Sequence, residues 1–131
     1  MQPRLTFAAI AIAALTLATA EPARAGYKSA TTVYVHSSGA WGDLGAVRNS
    51  PDTLQSLYCR LTSLASGSNQ VVCYAMDTAG NQAFCWTSAP NLVDTVRGLN
   101  GDSRLAFTYY PDNTCERIEV TVSSVAPPKL P

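Results

Sequence analysis

The sequence predicts an all-β fold: an antiparallel β-sandwich or partly open barrel of six to seven short strands with one short helix, stabilised by disulfides. Three observations carry that expectation. Short β-branched and aromatic runs recur between turn signals spaced eight to twelve residues apart, as in small sandwiches and barrels. Only one stretch, Ser88 to Leu99, has the capping chemistry and spacing of a helix. The chain of 131 residues holds four cysteines behind a leader that directs export.

The leader is the opening MQPRLTFAAIAIAALTLATAEPARA. Arg4 precedes an apolar run from Leu5 to Ala20, and Ala23-Arg24-Ala25 supplies the small-residue pattern of a cleavage site, so residues 1–25 read as a signal peptide cut after Ala25. Ala18-Thr19-Ala20 is the weaker site, because Glu21 and Pro22 follow it. The run is shorter than the roughly 20 residues a spanning helix needs, which argues against membrane insertion. Neither a cysteine at the cut nor a twin-arginine pair is present, so the expected product is a soluble periplasmic or secreted protein.

Removal of the leader leaves one domain, residues 26–124, and a proline-rich tail, 125–131. Arg4, Arg24 and Glu21 depart with the leader, so the nine basic and nine acidic residues become seven and eight. With those few cations scattered along the chain, neither a nucleic acid nor an anionic membrane surface is an expected partner.

Gly26 to Ala30 reads as a lead-in, and Thr31 to His36 as a first strand with Val33 and Val35 on one face. Ser37 to Gly45 holds three glycines and reads as a loop, with Trp41 as a lid on the end of the core. Ala46 to Asn49 adds a short edge strand before the turn Ser50-Pro51-Asp52.

Thr53 to Thr62 alternates, placing Leu57, Cys59 and Leu61 on one face and Tyr58 and Arg60 on the other. Val71 to Asp77 and the strand after Asn81 form a hairpin in which Gly80 takes the left-handed position of a three-residue loop. Pairing Asp77 with Asn81 sets Cys73 opposite Cys85, close enough for a disulfide, and leaves Cys59 for Cys115. The other two connectivities stay open.

Ser88 caps the helix, Pro90 occupies its first turn, Leu92, Val96 and Leu99 share a face, and Gly98 closes it. Arg104 to Tyr110 and Cys115 to Ser123 are the last two strands, joined at Pro111-Asp112-Asn113. Val125 to Pro131 is expected to be extended and exposed.

Gly45 to Cys59 (GAVRNSPDTLQSLYC), together with DTAGNQAFCW, GDSRLAF, TCERIEVTVSS and a Pro-Lys near the end, resembles a group of small exported proteobacterial proteins without a characterised member. The resemblance covers most of the chain after the leader. It implies a bacterial periplasmic or secreted location and a shared fold, and no catalytic residue.

Catalysis finds little to work with. A Ser-His-acid set would need His36, the sole histidine, with a serine such as Ser50 and Asp52 or Asp43, and no serine sits in a G-x-S-x-G elbow. Cysteines in an oxidising compartment pair rather than act as nucleophiles. One histidine cannot build a zinc tetrahedron, and Asp77, Asp102 and Asp112 lie in separate turns, where they bond their own backbone. No cofactor or metal is expected. The leading expectation is a non-enzymatic binding domain for a protein or cell-envelope glycan, one version being an inhibitor of an envelope-directed enzyme. Its candidate residues are Trp41, Trp86 and Tyr110 beside Arg104, if these share one surface. A small hydrolase using His36 and a purely structural envelope protein are the alternatives.

Overall fold

A computed structural model describes residues 29–128. The leader and its cleavage site, the first part of the lead-in and the last three residues of the tail lie outside the described residues.

Seven strands and two helices follow in the order β1 (Tyr34–His36), β2 (Gly39–Asp43), α1 (Leu44–Asn49), β3 (Ser56–Ser63), β4 (Asn69–Met76), β5 (Gln82–Thr87), α2 (Pro90–Arg97), β6 (Arg104–Tyr109) and β7 (Cys115–Thr121). They form two antiparallel sheets, one ordered β1-β2-β6-β7 and the other β3-β4-β5, which do not close into a barrel. The core lies between them. Ala40, Leu105, Phe107 and Ile118 face Leu57, Val71, Ala75 and Ala83, and Val93 and Val96 of α2 complete the cluster. Alternation along each strand is what sends these residues inward, and the intervening ones to the outer faces.

Two expectations for residues 37–49 are corrected. Ser37 to Gly45 is not a loop: its middle is β2, an interior strand between β1 and β6. Its glycines serve close packing rather than a turn. A Cβ on Gly39 would collide with the Phe107 carbonyl oxygen, and one on Gly42 would stand 3.1 Å from that of Thr32. Trp41 is accordingly a half-buried strand residue on an outer face, not a lid on the core. The expected edge strand at Ala46 to Asn49 is the end of α1, with Gly45 and Ala46 turned into the protein.

The hairpin forms as the turn chemistry requires. Asp77 N donates to Asn81 O at 3.0 Å, Gly80 has φ 83°, and Cys73 stands opposite Cys85. The disulfides nevertheless run Cys59–Cys73 and Cys85–Cys115, which overturns the expected pairing. The reason is the alternation of antiparallel pairs. Counting back from the hydrogen-bonded pair Asp77 and Asn81 makes Cys73 and Cys85 a hydrogen-bonded pair, with Cα atoms about 5.5 Å apart, and turns the other flank of Cys73 into the closer, non-bonded kind. Cys59 occupies that flank, at a Cα separation of 4.0 Å. Trp86 N obeys the same parity by pointing away from β4 and donating to Asn113 O at 3.0 Å. That contact brings the start of β7 to the edge of β5, where Cys85 meets Cys115 and ties one sheet to the other.

α2 packs against β7, β4 and β3, so it bridges strands of both sheets. Its N-cap is Ala89 rather than Ser88, and Thr87 Oγ1 accepts the Ala89 N–H instead. Val93 and Val96 are the buried residues, while Leu92 and Leu99 are only partly covered. The tail is not wholly exposed either. Val125 O accepts from Ser29 N at 3.1 Å, Ala126 is buried, and Pro128 O accepts from Asn49 Nδ2 at 3.0 Å.

Candidate functional site

The four residues singled out as a binding surface divide between the two sheets. Arg104 and Trp41 lie on the outer face of the four-stranded sheet. There Asp43, fully buried, receives Arg104 Nε at 2.7 Å and Nη2 at 3.2 Å, together with Thr31 N at 2.8 Å. The Arg104 guanidinium also lies 5.5 Å from the centre of the Trp41 ring, and Tyr34 packs against that ring from the side. Burial pushes the Asp43 carboxyl up. The hydrogen bonds from Arg104 and Thr31 and the Arg104 charge outweigh it, so the carboxyl titrates below its ordinary value and Arg104 above its own. An arginine committed to a carboxylate, a hydroxyl and a ring face is a structural clamp, holding the segment at Thr31 onto β2.

Trp86 is on the outer face of the other sheet, so it does not share a surface with Trp41. Tyr110 is exposed in the turn after β6, which is closed by Tyr110 N to Thr114 O at 3.0 Å. Thr114 bridges to Trp86, so the turn runs beside the Trp86 edge of the sheet. Trp86 and Tyr110 are thereby brought to the same end of the fold, and Trp41 and Arg104 are not.

What accompanies Trp86 is a row of aromatic residues. Tyr58, Tyr74 and Phe84 are in register across β3, β4 and β5, and Arg60, Val72 and Trp86 form the next row. The Tyr58 and Tyr74 rings are 5.5 Å apart at 33°, and Tyr74 donates its hydroxyl to Met76 Sδ at 3.7 Å. Tyr58, Phe84 and Trp86 keep 49%, 46% and 41% of their surface exposed. Cross-strand aromatic pairs stabilise a sheet by about 0.2–1 kcal/mol each, too little to account for three large rings left in water on one face. Tyr74 and Phe84 are the members that inspection of single strands misses. The hairpin register contained them, since the step that sets Cys73 against Cys85 sets Tyr74 against Phe84.

The residues considered for hydrolysis each have partners of their own. Asp43 is clamped by Arg104, and Asp52 accepts the N–H groups of Leu54 and Gln55 in its own turn. His36 Nδ1 accepts from Ser38 N at 3.4 Å, and its ring stacks on Tyr34. Asp77 and Asp112 bond their own turns as expected, and both titrate low: Asp77 chiefly through Asn81, Asp112 chiefly through Thr114. Among the described residues, no cluster of three His, Cys, Asp or Glu could hold a metal ion. No helix among them is long and apolar enough to cross a membrane.

Fold and site together define a disulfide-locked, two-sheet β domain with an aromatic outer face. Comparison with family models, with characterised proteins and with solved structures finds no match.

Proposed function

We propose that the protein is an exported, non-enzymatic binding module that recognises a cell-envelope glycan with the outer face of the β3-β4-β5 sheet. The observation that carries this reading is the registered row Tyr58, Tyr74 and Phe84 with Trp86 beside it. Ring faces carry the negative part of the aromatic quadrupole, and the C–H faces of a sugar ring present the matching positive edge. Adjacent strands lie about 4.8 Å apart, so a chain laid across them meets one ring after another. The platform is also stiff, since β4 is central, Cys59–Cys73 links it to β3, and Cys85–Cys115 anchors β5 to the other sheet.

Export is supported by the leader in the sequence and by the two disulfides, which persist in oxidising compartments. The resemblance to small exported proteobacterial proteins points to the periplasm or the cell exterior. The test uses the mature protein carrying Trp41→Phe, which leaves Trp86 as the sole tryptophan. Its fluorescence is expected to shift on titration with soluble peptidoglycan fragments or envelope polysaccharide, and Phe84→Ala is expected to weaken that response at least tenfold. A fluorescence signal indifferent to every glycan, from a folded protein, removes the proposal.

A second reading, a protein partner, draws on Arg60 in the same row as Trp86, because Trp, Tyr and Arg dominate protein hot spots. Capture of one envelope protein by the wild type but not by Trp86→Ala would favour it. A hydrolase acting through His36 would instead lose measurable turnover in a folded His36→Ala variant.

A further inference from the structure

We infer that the groove between α1, the start of β3 and the loop after α2 is a second binding site, for a small carboxylate with an unbranched apolar tail. It is separate from the glycan reading and does not depend on it. The open groove offers about 480 Å³, within the span of small-molecule sites, and combines apolar walls with a few polar groups. Leu44 and Val47 of α1, Leu57 of β3 and Leu99 after α2 supply the walls, and Arg48, the one cation of the lining, stands among polar residues that include Gln55, Ser56 and Asn100.

Charge selects the ligand. Arg48 is exposed at the groove and its guanidinium has no hydrogen bond or ion pair to another described residue, unlike those of Arg97, Arg104 and Arg117, each of which faces a carboxylate. Gln55 Oε1 accepts from Val33 N at 3.2 Å, which fixes that side chain at the groove. An anionic head therefore meets a guanidinium with no partner among the described residues, while an alkyl tail replaces water along four aliphatic side chains. A neutral alcohol lacks the charge pairing with Arg48, and an amine is repelled by it.

The experiment is calorimetric titration of the mature protein with octanoate, octanol and octylamine, below their aggregation limits. Octanoate is expected to bind and to raise the melting temperature. Octanol should bind about tenfold more weakly and octylamine weaker still, the difference expected for losing a charge-assisted contact. Affinity should rise about three- to fourfold per methylene from hexanoate to octanoate. Arg48→Gln should lower octanoate affinity about tenfold while Arg117→Gln leaves it unchanged. No octanoate binding at millimolar concentration overturns the inference. So does equal binding of octanoate and octanol, or an equal effect of Arg48→Gln and Arg117→Gln.

Discussion

Replacing Arg104 by Met tests the Asp43 clamp directly. The substitution keeps an unbranched side chain over Trp41 and removes both guanidinium bonds to a carboxylate with 0% exposure. Thr31 N remains as a donor at 2.8 Å, and the charge remains buried. Breaking a fully buried pair by deleting one partner costs about 3–5 kcal/mol. Since the Arg104 side chain is itself 36% exposed, part of the interaction is already screened, and about 2–4 kcal/mol is the reasoned figure. For a domain of this size that lowers the melting temperature by about 10–25 °C.

The effect should depend on pH in a defined sense. In the wild type the folded Asp43 carboxyl titrates below its ordinary 3.8, so its contribution is complete above that value and disappears as pH falls through the folded pKa. In Arg104→Met, burial is opposed only by the bonds from Thr31, so the folded carboxyl titrates higher than in the wild type. The variant then loses less stability than the wild type on acidification, and the gap between them narrows. Denaturant unfolding at pH 7 and at pH 3, with Asp43→Asn and the double variant closing a cycle, measures both the size and the coupling. The double variant should be more stable than the sum of the single losses implies. A loss at pH 7 below about 1 kcal/mol, or a loss that is the same at both pH values, would refute the reasoning that a desolvated charge is held there.

Other outcomes follow from the same geometry. Digestion without reduction, cutting after Arg60 and before Asp77, should yield the linked peptides Cys59–Cys73 and Cys85–Cys115, and none joining Cys73 to Cys85. With sequence separations of 14 and 30, chain entropy assigns the two bridges about 3 and about 3.6 kcal/mol, so replacing Cys85 and Cys115 by Ser should destabilise slightly more in thermal melts. Gly39→Ala should abolish folding or cost more than about 3 kcal/mol, because its Cβ collides with the Phe107 carbonyl oxygen, a backbone atom that cannot swing aside. Gly67→Ala, with φ 87° and open space around it, should cost about 1 kcal/mol by backbone conformation alone. Wild-type stability is expected to be level near neutral pH and to fall below about pH 4, as Asp43, Asp77 and Asp112, all titrating low, take up protons.

Local chemistry was enough for much of this protein. The alternation from Leu57 to Leu61, the Asp77 to Asn81 turn, the helix after Pro90 and the two terminal strands are encoded within windows of a few residues, because side-chain parity and turn conformation are properties of neighbours. The face carrying Tyr58 and Trp86 could be read in the same way. What such windows do not contain is which distant backbone lies alongside. The glycines at 39 and 42 are loop residues by composition and interior-strand residues by fact, since only the approach of the Phe107 and Thr32 carbonyls shows why no side chain fits there. Trp41 and Trp86 are equivalent in sequence and stand on different sheets, which only the packing of the two layers decides.

The cysteines lie on the boundary between the two kinds of information. Local register set Cys73 opposite Cys85, and the parity of hydrogen-bonded pairs already made that flank the wider one. That β3 lies on the other side of β4 with Cys59 at the matching position, and that β7 comes to the edge of β5, are long-range facts. They arise from burying two apolar faces against each other, a condition on the whole chain rather than on any one stretch of it.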